Sequence, residues 1–176
     1  MVIWIIGLSG SGKTYLSKKL KKKLGKNFIQ LDGDVIRETF GHDLGHSIND
    51  RRINAMRISR LAHFLSKNGV NLIVSVLSLF PKWLKWNKKN IKNYFEIFID
   101  VPIGVLVKRN SKRVYKKNNK LNKNIVGINI KFKNPKNSDL VLSNKFTRKD
   151  IDENLKIIIK SLKNKKLIKR SASQID

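Results

Sequence analysis

Apolar positions fall into two alternating kinds of pattern along the chain. Val2–Ile6, Asn71–Leu77 and Tyr94–Val101 are near-continuous runs rich in β-branched and aromatic residues, the kind buried on both faces of a parallel sheet, and Phe28–Leu31 and Asp139–Leu142 are shorter versions. Between them lie stripes of helical period. Thr14–Leu24 carries Leu16, Leu20 and Leu24 on one face and stops at Gly25; Asp50–Asn68 carries Ile53, Ile58, Leu61 and Leu65 and stops at Gly69. Pro81 opens a helix containing Trp83 and Trp86, Pro102 opens one that ends near Arg109, and Ile151–Leu162 forms a closing helix. Strand and helix alternate, which predicts an α/β fold with a parallel sheet of about five strands flanked by helices. From 110 to about 133 the pattern dissolves into basic residues with glycine and asparagine, as in a lid or a disordered insert. Residues 1–163 read as a single domain, and 164–176 as a disordered basic tail.

Composition narrows the classes. A chain of 176 residues with 40% hydrophobic content buries one core and has no room for two full-sized domains. Without cysteine there is no disulfide framework, zinc–thiolate site or thiol nucleophile. Met1 leads directly into the first strand, with no basic leader and no apolar stretch of membrane-spanning length, so a cytoplasmic protein without membrane contact is expected. The net charge of +27 would attract polyanions. Its lysines are scattered, however, and accompanied by many asparagines and isoleucines, the mixture that AT-rich codons produce, so no specific nucleic-acid partner is expected. A basic nucleic-acid-binding protein is the alternative of another class.

Candidate chemistry begins immediately after the first strand. Gly7, Gly12, Lys13 and Thr14 satisfy G-x-x-x-x-G-K-[ST], a loop whose backbone N–H groups point at a polyanion held at a helix N-terminus. The glycines permit close backbone approach, Lys13 supplies a cation near the β- and γ-phosphates, and Thr14 offers a hydroxyl to Mg2+. The plainer reading is a glycine-rich turn before a lysine-rich helix. Asp32 and Asp34 end the second strand on the side where an open parallel sheet binds ligands. Asp34 is placed to be a general base on a substrate hydroxyl or to hold Mg2+ through water, or else to cap the following helix. Arg51, Arg52 and Asn54 stand in the first turn of a helix, where cations oppose the macrodipole unless an anion binds there. Ordinary solvated charge is the alternative. Ser78 ends the third strand on the same side.

Together the motifs GLSGSGKT, LDGDVIR, DLGHS, DRRIN, LSLF, SKRVYKK and GINIKFKNPKNSDL, spread over Val2 to Leu142, resemble the adenylylsulfate kinases, P-loop kinases that phosphorylate the 3′-hydroxyl of adenosine 5′-phosphosulfate with ATP. The resemblance implies a P-loop kinase fold with a basic lid. The loop residues Gly7, Ser9, Gly10, Ser11, Gly12, Lys13 and Thr14 would then hold ATP, with Arg109 and Lys112 of the lid near its phosphates and Thr14 and Asp34 at Mg2+. Lys13, Asp34 and Ser78 would be catalytic. Asp32, Arg37, His46, Arg51, Asn54, Leu77 and Ile125 would face a small nucleotide acceptor. Ser78 matches a family serine that becomes phosphorylated, although Leu79 and Pro81 replace the residues usually following it. The acceptor's adenine is sandwiched by two phenylalanines in the family, and here those positions are His46 and Ile125. Asn129 replaces the usual aspartate and Arg113 the usual lid glycine. One relative of the family phosphorylates cytidine diphosphoramidate during capsule decoration, and a pyrimidine suits a pocket with smaller, more polar walls. Some members form dimers, which makes a second copy of the chain a candidate partner. A nucleotide-dependent switch without an acceptor would leave Arg37, Arg51 and Asn54 without a task.

Overall fold

Five strands, β1 (Val2–Ile6), β2 (Phe28–Asp32), β3 (Asn71–Val76), β4 (Tyr94–Asp100) and β5 (Leu140–Ser143), form one sheet in the order β2-β3-β1-β4-β5. Every neighbouring pair is parallel. The helices are α1 (Lys13–Leu24), α2 (Gly33–Thr39), α3 (Ile48–Lys67), α4 (Pro81–Asn90), α5 (Ile103–Arg109) and α6 (Arg148–Asn164). This computed structural model describes residues 1–110, 114–115 and 124–168. Lys112 and Arg113 lie outside them.

The central strand explains why the apolar runs are continuous. Successive β1 side chains point to opposite faces, and both faces are covered. Ile3 and Ile5 pack with Leu16 and Leu20 of α1 and with Ile158 and Leu162 of α6. Val2, Trp4 and Ile6 pack with Ile58 and Ala62 of α3 and Leu84 of α4. From β1 the chain moves outward to β2, returns to β3 beside β1, and crosses to β4 on the other side. The segments following β1, β2 and β3 therefore emerge at one edge, around the point where strand order reverses, and a ligand crevice belongs there.

Three boundaries differ from the sequence reading. Helix α3 begins at Ile48 rather than Asp50, with Ser47 as its cap: Ser47 Oγ accepts from Asp50 N at 3.1 Å, and Asp50 Oδ2 accepts from Ser47 N at 3.1 Å. The helix start thus carries its own carboxylate, which answers part of the expected need for an outside anion. Asp32, not Asp34, caps α2, accepting from Asp34 N at 3.0 Å. The tail expected from 164 is still attached to the fold at 168, because α6 runs to Asn164 and Leu167 and Ile168 pack against the core.

Leu162 is fully buried between α6 and the sheet. Truncating it to alanine is expected to cost about 2–5 kcal/mol. Urea denaturation followed by far-UV circular dichroism would show a lower midpoint with an unchanged slope.

Candidate active site

The loop between β1 and α1 is held in shape by backbone requirements and by contacts from distant segments. At Gly7 a Cβ would stand 2.6 Å from Ser11 Oγ and 3.0 Å from the Ile99 carbonyl. At Gly12, where φ is +94°, it would stand 2.3 Å from Asn144 Nδ2, which donates to the Ser11 carbonyl at 2.8 Å. Only glycine fits either place. Lys13 Nζ donates to the Leu8 carbonyl at 2.7 Å. Arg109 Nη1 donates to the Gly10 carbonyl at 3.3 Å while its guanidinium lies 3.7 Å from the centre of the Phe146 ring. From the lid segment, Tyr115 donates its hydroxyl to the Ser9 carbonyl at 2.9 Å.

The carboxylate of Asp32 joins this loop to the opposite wall. Its Oδ2 accepts from Thr14 Oγ1 at 2.8 Å and from Ser75 Oγ at 2.9 Å, while Oδ1 caps α2. With both oxygens engaged inside the protein, Asp32 fixes the loop against the opposite wall, and it also lines the cavity where the acceptor is expected. Asp34, one residue beyond the Gly33 start of α2, has a side chain 69% exposed and pairs with Arg37 at 3.5 Å.

Opposite the loop, α2 and α3 supply a second set of cations. Arg37 Nη1 donates to the Gly33 carbonyl at 3.3 Å. Arg51 donates to the carbonyls of His46 at 3.0 Å and Asn124 at 3.1 Å, tying α3 to the lid segment. Burial and the neighbouring Arg37 push the Arg51 pKa down. Partial burial, followed by the charges of Arg37 and Arg51, also holds the His46 imidazole below its usual range, although much of that residue remains open to solvent. A guanidinium whose charge is disfavoured by burial and by a neighbouring cation is poised for an anion to relieve it.

One cavity of about 520 Å³ connects the two sets. Every sequence-predicted site residue among those described lines it except Gly7 and Ser11, which stand beneath the loop. The Ser78 hydroxyl accepts from Trp4 Nε1 at 2.9 Å at the foot of the wall, and Ile125 faces it from the lid segment. For a divalent cation, Thr14, Asp32 and Asp34 offer hard oxygen donors. Among the described residues no cluster of three His, Cys, Asp or Glu side chains forms a protein-only cage. This donor set fits Mg2+ shared with phosphate oxygens and water.

The model of the adenylylsulphate kinase family matches residues 1–143. The chain belongs to that family. It is 39% identical over 165 residues to the cytidine diphosphoramidate kinase of Campylobacter jejuni, covering 92% of this chain and 95% of that protein. It is 35% identical over 173 residues to an adenylyl-sulfate kinase of Clostridium acetobutylicum, covering 95% of this chain and 85% of that one. Among solved structures, the Mycobacterium tuberculosis APS kinase in complex with AMPPNP and APS superposes with a TM-score of 0.80 at 30% identity, over 92% of this chain and 96% of that chain. The protein is therefore a P-loop kinase, a phosphotransferase acting on a small nucleotide.

Several of the kinase's site residues had no signal in the sequence. Asn144 and Phe146 follow β5 in the polar segment LSNKFTR, and only the topology reveals that this strand ends at the same crevice. Ser75 and Trp4 are strand residues that periodicity assigns to packing. Among the described residues no helix is long and apolar enough to cross a membrane.

The depressed His46 pKa gives a test of the anion site. In the ligand-free protein its imidazole should titrate below the ordinary value of about 6.5. An anionic nucleotide that neutralises Arg37 and Arg51 should raise the midpoint, and by linkage the nucleotide should bind more tightly as pH falls through that range. NMR titration of the ring protons with and without nucleotide measures both; an unmoved midpoint would place the anion elsewhere.

Proposed function

We propose that this kinase transfers the γ-phosphoryl group of ATP to the ribose 3′-hydroxyl of cytidine diphosphoramidate. The observation that carries the choice of acceptor is the pair His46 and Ile125, lining the cavity where the family's resemblance calls for two phenylalanines around adenine. Losing two aromatic faces removes on the order of 1–3 kcal/mol of stacking per base contact. A smaller pyrimidine depends less on them. The 39% identity to the Campylobacter jejuni enzyme, over nearly the whole of both chains, supports the same reading. The reaction would take place in the cytoplasm and supply a phosphoramidate donor for capsule decoration. Adenylylsulfate, the acceptor of sulfate assimilation, is the competing substrate.

In this reading the acceptor oxygen attacks the γ-phosphorus in line, the bond to the β–γ bridging oxygen breaks, and ADP leaves. Asp34, exposed in the cavity at the start of α2, takes the proton from the attacking hydroxyl. Arg37, Arg51 and Asn54 hold the acceptor's phosphates and ribose. Lys13 exchanges the Leu8 carbonyl for phosphate oxygens, and Arg109 with Phe146 borders the donor end. Thr14, Asp32 and Asp34 would hold Mg2+, which would supply charge neutralisation for the phosphates. Ser78, already accepting from Trp4, retains its O–H to donate to the acceptor. Positioning and charge neutralisation supply most of what phosphoryl transfer requires.

Release of ADP, measured with cytidine diphosphoramidate, CDP and adenylylsulfate in parallel, tests the reading. Cytidine diphosphoramidate should give the highest kcat/KM, and a preference for adenylylsulfate would reject the proposed acceptor. Asp34→Asn should lower acceptor-dependent turnover by about 10²–10⁴-fold while ATP affinity, followed by calorimetry, stays close to wild type. Restoring aromatic walls with the double substitution His46→Phe and Ile125→Phe should raise the kcat/KM for adenylylsulfate by roughly tenfold or more.

A further inference from the structure

The segment that carries His46 is held neither by the core nor by a backbone ladder. Residues 40–47 join α2 to α3, and none of them is buried. Helix α2 ends in a reversal in which Gly41 and His42 both have positive φ, +71° and +56°, and His42 N donates to the Arg37 carbonyl at 2.9 Å. Beyond that point, among the described residues, no backbone–backbone hydrogen bond reaches residues 43–46. Where His46 stands is therefore set by side-chain contacts.

Those contacts come from α3. Arg57 donates from Nη1 to Asp43 Oδ1 at 2.9 Å and from Nη2 to Asp43 Oδ2 at 2.6 Å, and its guanidinium lies 4.4 Å from the centre of the Phe40 ring. One planar group thus grips the loop at its start and again at its middle. Arg51 takes a third point, donating from Nε to the His46 carbonyl. The bond from Arg57 holds the Asp43 carboxyl below its usual range, and the carboxylate in turn raises the Arg57 pKa, so each group favours the ionised form of the other. Neither Arg57 nor Asp43 lines the cavity, whereas His46, three residues after Asp43, does. A lone surface ion pair contributes little. This one is bidentate and stacked on a ring, and it spans a stretch that no backbone–backbone bond secures. We infer that Arg57, gripping Asp43 and Phe40, is a positioning residue that holds the His46 wall in place for the acceptor base. The inference rests on the reading of His46 as an acceptor wall and names the residue that fixes it.

The test uses Arg57→Lys, which keeps a cation but loses the fork, and Asp43→Asn, which keeps the side chain's shape but loses its charge, each in the full chain with ATP and the acceptor it turns over best. Both should raise the acceptor KM roughly five- to tenfold. The KM for ATP and the melting temperature should stay close to wild type, and the His46 backbone amide should show larger local motion in NMR relaxation. A His46→Ala background supplies the deciding comparison. If Arg57 acts through His46, adding Arg57→Lys there should leave the acceptor KM of His46→Ala unchanged. An unaltered acceptor KM in either single variant would overturn the inference. So would full additivity with His46→Ala, which would place the effect elsewhere, or an equal rise in both KM values with a lowered melting temperature, which would make Arg57 a stabilising residue only. If the wild type prefers adenylylsulfate to cytidine diphosphoramidate, the acceptor reading fails by itself, and the same comparison made on adenylylsulfate still decides the role of Arg57.

Discussion

The carboxylate of Asp32 holds the site together. It accepts from Thr14 at the start of the loop helix, from Ser75 inside the sheet and from the backbone of Asp34 at the start of α2. One side chain thereby fixes the Thr14 hydroxyl, the strand beneath it and the turn that carries Asp34. These are three separate segments of chain, and nothing in the hydrophobic packing alone would set their relative positions to within a hydrogen-bond length. Withdrawing a carboxylate from water is costly unless other donors replace the water, and here three converge on it.

Around that anchor the molecule keeps like charges close. Arg37 sits near enough to Arg51 to help push the Arg51 pKa down, and Lys13 and Arg109 lie across the same cavity. In the ligand-free state these cations lean on backbone carbonyls, those of Leu8, Gly10, Gly33, His46 and Asn124. Carbonyl oxygens are neutral where phosphate oxygens are charged, so an anion bound in this cavity would offer the same cations ion-paired partners. One of these contacts, Arg51 to Asn124, reaches the segment between α5 and β5, and the Tyr115 hydroxyl joins the same segment to the Ser9 carbonyl, so it is tied to both sides of the cavity.

Much of this was legible in the sequence because its signals are local. Solid apolar runs mark doubly covered strands, glycines end α1 and α3, and the loop motif has few structural alternatives. The miscast residues share a different property. Asp32 and Asp34 are two positions apart with a glycine between, and local pattern supports either as the cap; only the hydroxyls of Thr14 and Ser75, distant in sequence, decide. The spacing of Ser47 and Asp50 is a capping signal that was available, but the apolar stripe drew the boundary to Asp50. Asn144 and Phe146 could not be found from spacing at all. They join the loop's surroundings only once strand order is known.

Ser78 has an energetic consequence beyond its place in the cavity. Its backbone is in the left-handed region, φ +54°, where a non-glycine residue costs on the order of 1–3 kcal/mol. A glycine would relax the chain there, yet it would leave the indole N–H of Trp4, a residue only 2% exposed, without its acceptor. Conformational ease and indole solvation pull in opposite directions at this one position, and the turn after β3 is frozen in a shape that neither would select alone.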